Sequence, residues 1–216
     1  MAIKQFAVAA ALLGTGVAAQ AQVALTESFN DVLALASAGW LSVNTSASPG
    51  TNWFQGNPGI FPAASGATDA YAAANFLGTT AASGPVSNWL ITPQLSLGVG
   101  SNVAFDVRVA GAGFLDTLQV LISTTGTAPA NFSLLGSYSA STNSGWVPQT
   151  VLTGLGAETP AYIAFRYVIS DVAVNGNYLG LDNLVINVVP EPATALLLAL
   201  GVAGLMGYQS RRRQAA

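Results

Sequence analysis

The chain contains no cysteine and no histidine, and only 7% of its 216 residues are charged, against about 25% in an average soluble domain. The two zeros exclude disulfides, zinc sites of the Cys/His kind and every nucleophile–histidine catalytic pair. Only oxygen-based polar chemistry remains. Lysine is nearly missing too. Lys4 is the only one, and between residues 22 and 188 the cations are Arg108 and Arg166 against eight acids. Binding to nucleic acid or anionic lipid needs clustered Lys and Arg, so that segment excludes both partners.

What the chain has in quantity is hydrophobic residues, 51% of the total, and part of that excess sits at the two ends. Met1 to Ala21 carries one cation, Lys4, then an apolar run from Phe6 to Ala19, and closes on Ala19-Gln20-Ala21. A short charged start, a short apolar centre and an A-x-A site predict a secretory signal peptide cut after Ala21, with the Sec translocon and signal peptidase as partners. At the other end Val189-Pro190-Glu191-Pro192 precedes an uncharged stretch from Ala193 to Tyr208, followed by Arg211-Arg212-Arg213. That stretch makes about 24 Å of helix, slightly short of a hydrocarbon core about 30 Å thick, and predicts a transmembrane helix. Three arginines after it place the C-terminus in the cytoplasm. The signal peptide places residues 22–188 on the opposite side, so the two ends agree on one topology.

Between the ends the hydrophobic period is two. Val103, Phe105, Val107 and Val109 alternate with Asn102, Ala104, Asp106 and Arg108, and Ile163, Phe165, Tyr167 and Ile169 alternate with Tyr162, Ala164, Arg166 and Val168. A similar pattern covers Thr117–Ser123, and a long last strand is predicted over Tyr178–Val188. Shorter candidates lie near Ala24–Phe29, Asn52–Gln55, Tyr71–Phe76, Trp89–Thr92, Ser133–Tyr138 and Trp146–Leu152. Turn residues separate them, as in Gly56-Asn57-Pro58-Gly59 and Asn175-Gly176-Asn177. About ten short strands predict an all-β domain, a jelly-roll β-sandwich over residues 22–188.

Four constellations carry chemistry. Glu27 and Asp182 stand on the first and last predicted strands. If those strands are neighbours, the two carboxylates suit a hard cation such as Ca²⁺, with Asn30 or Asn183 as a further oxygen. Asp106 and Arg108 share a strand face by period two, so they can form a simple ion pair. Asp116 is the weak candidate for acid–base work, because eight acids always offer some pair. Trp53, beside Phe54 in a Gly/Pro/Asn-rich stretch, is the best placed of the four tryptophans to stack on a sugar ring, although core packing is the favoured reading for it.

Two family resemblances follow from these residues. The Val-Pro-Glu-Pro, apolar span and arginine cluster over residues 189–216 resemble the PEP-CTERM sorting signal. That implies processing by an exosortase-type enzyme and delivery to the cell surface or extracellular matrix. In residues 22–188, Glu27-Ser28-Phe29, Ser87-Asn88-Trp89-Leu90-Ile91-Thr92-Pro93 and Tyr178-Leu179-Gly180-Leu181-Asp182-Asn183 resemble the choice-of-anchor J domain, related to the cleaved-adhesin domains. The resemblance implies a jelly roll with an adhesin-like or matrix role, with exopolysaccharide or surface glycans as partners; it does not imply a catalytic activity, so a non-enzymatic protein with no required cofactor is expected. A structural Ca²⁺ ion is the one metal it admits. A carbohydrate-binding module with a specific glycan site is the alternative expectation.

Overall fold

Every strand in this chain must bury one face, and two sheets laid face to face satisfy all of them at once. The computed structural model describes residues 22–189, 201–202 and 204–206. The expected signal peptide with Ala19 and Ala21, the Pro190–Pro192 motif, most of the predicted span and Arg211–Arg213 lie outside the described residues. The described positions between 201 and 206 are helical. Among the described residues no helix is long and apolar enough to cross a membrane.

Residues Ala21–Pro190 form a compact unit. Its strands are β1 (Gln22–Glu27), β2 (Leu41–Asn44), β3 (Phe54–Gln55), β4 (Ala72–Asn75), β5 (Val86–Ile91), β6 (Leu95–Leu97), β7 (Asn102–Val109), β8 (Asp116–Ser123), β9 (Ser133–Ala140), β10 (Val147–Leu152), β11 (Thr159–Ile169) and β12 (Tyr178–Val188). The first sheet runs β10-β7-β12-β4-β3, with β1 also on β12, and the second runs β2-β5-β11-β8-β9, with β6 also on β11. All pairings are antiparallel. Each sheet is organised by one 11-residue strand that carries two shorter strands in tandem along one edge. β12 holds β4 at Tyr178–Leu181 and β1 at Leu184–Val188.

The alternating residues read from the sequence form the core. Val103, Phe105, Val107 and Val109 of the first sheet meet Ile163, Phe165, Tyr167 and Ile169 of the second, with Leu179, Leu181, Leu184 and Ile186 from β12. β2 and β6 escape a sequence reading because four and three residues are too few to show a period. The first sheet has a second apolar layer on its outer face. There the 56–70 loop folds back and packs Phe61 and Tyr71 against Tyr178 and Trp146.

The register fixes the ends of the sandwich. Gln22 pairs with Val188, so the domain's first and last strands meet at one end. The loops 76–85, 110–115, 141–146 and 170–177 gather at the other, about 36 Å away along β12. These distal loops are bonded to one another. Asn177 donates its side-chain amide to the Gly111 carbonyl, Phe76 N–H donates to Asn177 O, Gly113 N–H to Ser141 O, and Gly84 N–H to an Asp171 carboxylate oxygen.

Candidate functional site

Three places combine polar chemistry with access or strain: a cleft among the distal loops, the junction of β1 and β12, and the outer face of the second sheet.

The distal cleft encloses about 650 Å³ and is lined by Gly50, Thr51, Phe76, Leu77, Thr79, Thr80, Ala81, Ala82 and Val172. No charged residue lines it. Phe76 and Leu77 are 44% and 49% exposed. They are held out because Asn75 caps the short turn behind them, its Oδ1 accepting from Leu77 N–H at 3.0 Å. Gly50 is required at the floor, since a Cβ there would stand 2.1 Å from the Leu77 carbonyl oxygen. Thr79 donates its hydroxyl to Ser48 O and accepts from Ala81 N–H, which fixes its rotamer. Apolar walls with a few oriented hydroxyls are the usual make-up of a small-ligand site, and the volume falls in the usual range. Sequence reasoning missed this cleft because its residues come from segments that only the tertiary fold joins.

At the β1–β12 junction the two expected carboxylates are neighbours by register. Glu27 pairs with Leu184, two positions from Asp182. Two of the three non-glycine residues with positive φ among the described residues flank them, Phe29 at 50° and Asn183 at 49°. Glu27 Oε1 accepts from Phe29 N–H at 2.7 Å, which secures the kink. Asp182 is wholly buried. Its Oδ2 accepts from Ala64 N–H at 2.9 Å and Ser65 N–H at 3.3 Å, and its Oδ1 from Asn183 N–H at 2.6 Å. The carboxylate thus ties the 63–65 loop to β12. Burial pushes its pKa up, the three amides pull it down, and the Asp106 charge adds to the rise. The Asn183 side chain is not free to ligate, since it accepts from Ser65 and donates to Asp106 Oδ2 at 2.7 Å. Asn30 Oδ1 lies beside Gly66 in the same region.

A Ca²⁺ ion needs six to eight oxygens. Among the described residues no group of three or more His, Cys, Asp or Glu converges. The candidate oxygen donors are therefore the Glu27 and Asp182 carboxyls, with Asn30 Oδ1 in the same region. Carboxyl oxygens are the kind of donor a hard cation takes, and Asp182 is a buried carboxyl with neither domain arginine on it.

Two sequence expectations are corrected. Asp106 and Arg108 do not pair. Asp106 is taken by Asn183, while the Arg108 guanidinium sits 4.6 Å from the Phe61 ring centre and its Nε donates to Asn143. Trp53 is no exposed sugar platform. It is 6% exposed in the main core, and its Nε1 donates to the Asn88 carbonyl at 3.2 Å. Burying a large ring and satisfying its one donor from the facing strand is the better use of that side chain.

Asp116 is also fully buried, which removes it from any substrate. Its Oδ1 accepts from Tyr167 O–H at 2.6 Å and Asn177 N–H at 2.8 Å, and its Oδ2 has no partner. Burial pushes this carboxyl pKa up, against those hydrogen bonds. A raised folded-state pKa means that the fold favours the protonated acid. The stabilisation is complete below the unfolded value and is lost as pH rises through the folded one. Replacing Asp116 by Asn keeps an acceptor for Tyr167 and Asn177 but removes the titration. Calorimetry should therefore show the Tm of Asp116→Asn gaining on that of the native domain as the pH is raised from about 4 to neutral. A constant difference across that range refutes it.

The fold and these sites define a class: an antiparallel jelly-roll module with a loop-built cleft at one end and polar clusters made of oxygen and amide groups. The model of the cleaved adhesin domain matches residues 22–186, and the chain belongs to that family. The PEP-CTERM protein-sorting motif matches residues 188–213, so the chain joins an adhesin-like domain to a signal for export and surface sorting. Similar solved structures include two cleaved adhesin domains of Lys-gingipain from Porphyromonas gingivalis. The K1 domain is 27% identical, with 76% of this chain and 97% of that one covered at a TM-score of 0.59. The K3 domain is 24% identical, with 78% and 99% covered at 0.59. No curated protein matches the sequence.

Proposed function

We propose that this is a non-enzymatic, exported surface protein whose jelly-roll domain makes adhesive contacts with neutral glycan of the cell surface or exopolysaccharide matrix. The N-terminal signal delivers it, and an exosortase-type enzyme processes the C-terminal segment after a membrane-held stage. The observation that carries the glycan reading is the distal cleft. It is charge-free, and it sets the exposed Phe76 ring among Thr51, Thr79 and Thr80. An aromatic face with nearby hydroxyls suits the apolar face and rim hydroxyls of a sugar ring. The cleft opens at the end of the sandwich remote from the Gln22–Val188 pair.

A glycan array probed with residues 21–190 tests the reading. Binding to neutral glycans is expected, and Phe76→Ala should weaken it by about tenfold or more, a loss of about 1.4 kcal/mol. Phe76 is exposed, so the variant should keep its Tm. An array without neutral binders, or full binding by Phe76→Ala, refutes the proposal.

For the β1–β12 junction we propose a structural Ca²⁺ ion held by Glu27 and Asp182. Bound there, the ion would supply the positive charge that Asp182 lacks and brace the 63–65 loop.

A further inference from the structure

The second sheet carries an arginine that the fold holds still with no acid paired to it among the described residues. Arg166 lies at the centre of a row that crosses the sheet in register: Val43, Trp89, Arg166, Gln119 and Ser137. Its guanidinium carbon sits 5.0 Å from the Trp89 ring centre. Nε donates to Ser87 Oγ at 2.9 Å, and Nη1 donates to Gln119 Oε1 at 3.3 Å. Those partners are themselves fixed. Trp89 Nε1 donates to Ser87 Oγ at 3.0 Å and to Thr45 Oγ1 at 3.1 Å, and Thr45 donates to Ser87.

Such a network does more than pack a long side chain. Partial burial pulls the guanidinium pKa down, with no carboxylate to offset it. A charge in that position costs stability, whereas an apolar chain of similar volume would cover Trp89 at no such cost. Two of the five guanidinium N–H donors are used, which leaves three. Arg166 is half-buried, Thr45 is exposed, and Gln119 is reachable beside it. A guanidinium that is oriented in advance binds a carboxylate with little further ordering. Its hydrogen-bond partners are a hydroxyl and an amide, and the Trp89 ring lies beside it, a mixture that suits the hydroxyls and apolar face of a sugar.

We infer that Arg166, with Gln119, Ser87 and Thr45, forms a recognition site for the carboxylate of an acidic polysaccharide, a uronate unit. This site is separate from the distal cleft and takes a charged ligand where the cleft takes a neutral one, so each can fail alone.

The test is calorimetric titration of residues 21–190 with a short oligogalacturonate, its carboxyl-reduced neutral counterpart and a short polyglutamate peptide. The expected result is binding of the oligogalacturonate that weakens with added salt, with much weaker binding of the other two. Arg166→Met should lose about tenfold to a hundredfold in affinity while its Tm stays level or rises, because the uncompensated charge is gone. Should that variant fail to fold, Arg166→Lys decides, since it keeps the charge and loses the fork, and a drop in affinity supports the site. Equal binding of the carboxyl-reduced oligomer, equal binding of polyglutamate, no binding at all, or unchanged affinity in the substituted protein each overturns the inference.

Discussion

Replacing Gly56 by Ala is expected to cost about 2–3 kcal/mol, the upper part of the usual range for an over-packed core. That lowers the Tm by about 5–10 °C in a domain of this size. The added Cβ would stand 2.2 Å from Cε1 and 2.3 Å from Cδ1 of Tyr71, and the ring has nowhere to go. Tyr71 is wholly buried and stacks on Phe61 with ring centres 5.2 Å apart. Its hydroxyl donates to the Asn57 and Phe61 carbonyls as alternatives, accepts from Asn57 N–H at 2.9 Å, and lies 3.1 Å from the Tyr178 hydroxyl. Moving the ring to admit a methyl group breaks that set. Burial raises the Tyr71 pKa well above the usual phenol range, so the hydroxyl stays a donor at any working pH. Thermal unfolding of Gly56→Ala checks this, with Gly84→Ala as a comparison. Gly84 has nothing within 4 Å of its Cβ position but a φ of +105°, so its cost is backbone strain alone. If Gly56→Ala melts with the native domain, the outer aromatic layer does not brace the fold.

Saturating Ca²⁺ should raise the Tm by a comparable or larger amount. A ligand at a thousand times its Kd stabilises by about 4 kcal/mol, about 8–16 °C here. Asp182→Asn keeps the shape of the side chain but not its charge, and the shift should vanish in that variant. Glu27→Gln should reduce it. The measurement is a Tm series in Ca²⁺ against chelator, with a calorimetric titration of the metal-free domain. No heat and no shift in the native domain refute the metal site. A shift that survives Asp182→Asn places the ion elsewhere.

Particular residues show where sequence reading stops. The strand from Tyr178 to Val188 was legible to the residue, because its apolar positions, its turn at Asn175-Gly176-Asn177 and its β-branched content all agree. So was the position of Glu27 and Asp182 on first and last strands. The roles of those two acids were not. Which amides reach Asp182 depends on the 63–65 loop, more than a hundred positions away. Sequence separation also hid the partner of Trp53, whose polar-rich surroundings left a sugar platform open beside core packing. Its indole N–H finds the Asn88 carbonyl 35 positions on, and the ring goes inside.

Arg166 is the subtler case. Alternation along β11 already put it on the outer face, opposite to Phe165 and Tyr167. Only the register of three neighbouring strands set it between Trp89 and Gln119 with no acid in the row.

By itself the sequence determined the class of fold, the lack of any cysteine or histidine chemistry, the acidic lysine-poor domain and the sorting segment at its end. Those properties depend on composition and on periods of a few residues, which are local. The tertiary structure alone decided the cleft, the partners of Asp106, Arg108 and Asp182, and which tryptophans are buried. Each of these depends on which strands lie side by side, and in an antiparallel sandwich the neighbours in space are mostly distant in sequence.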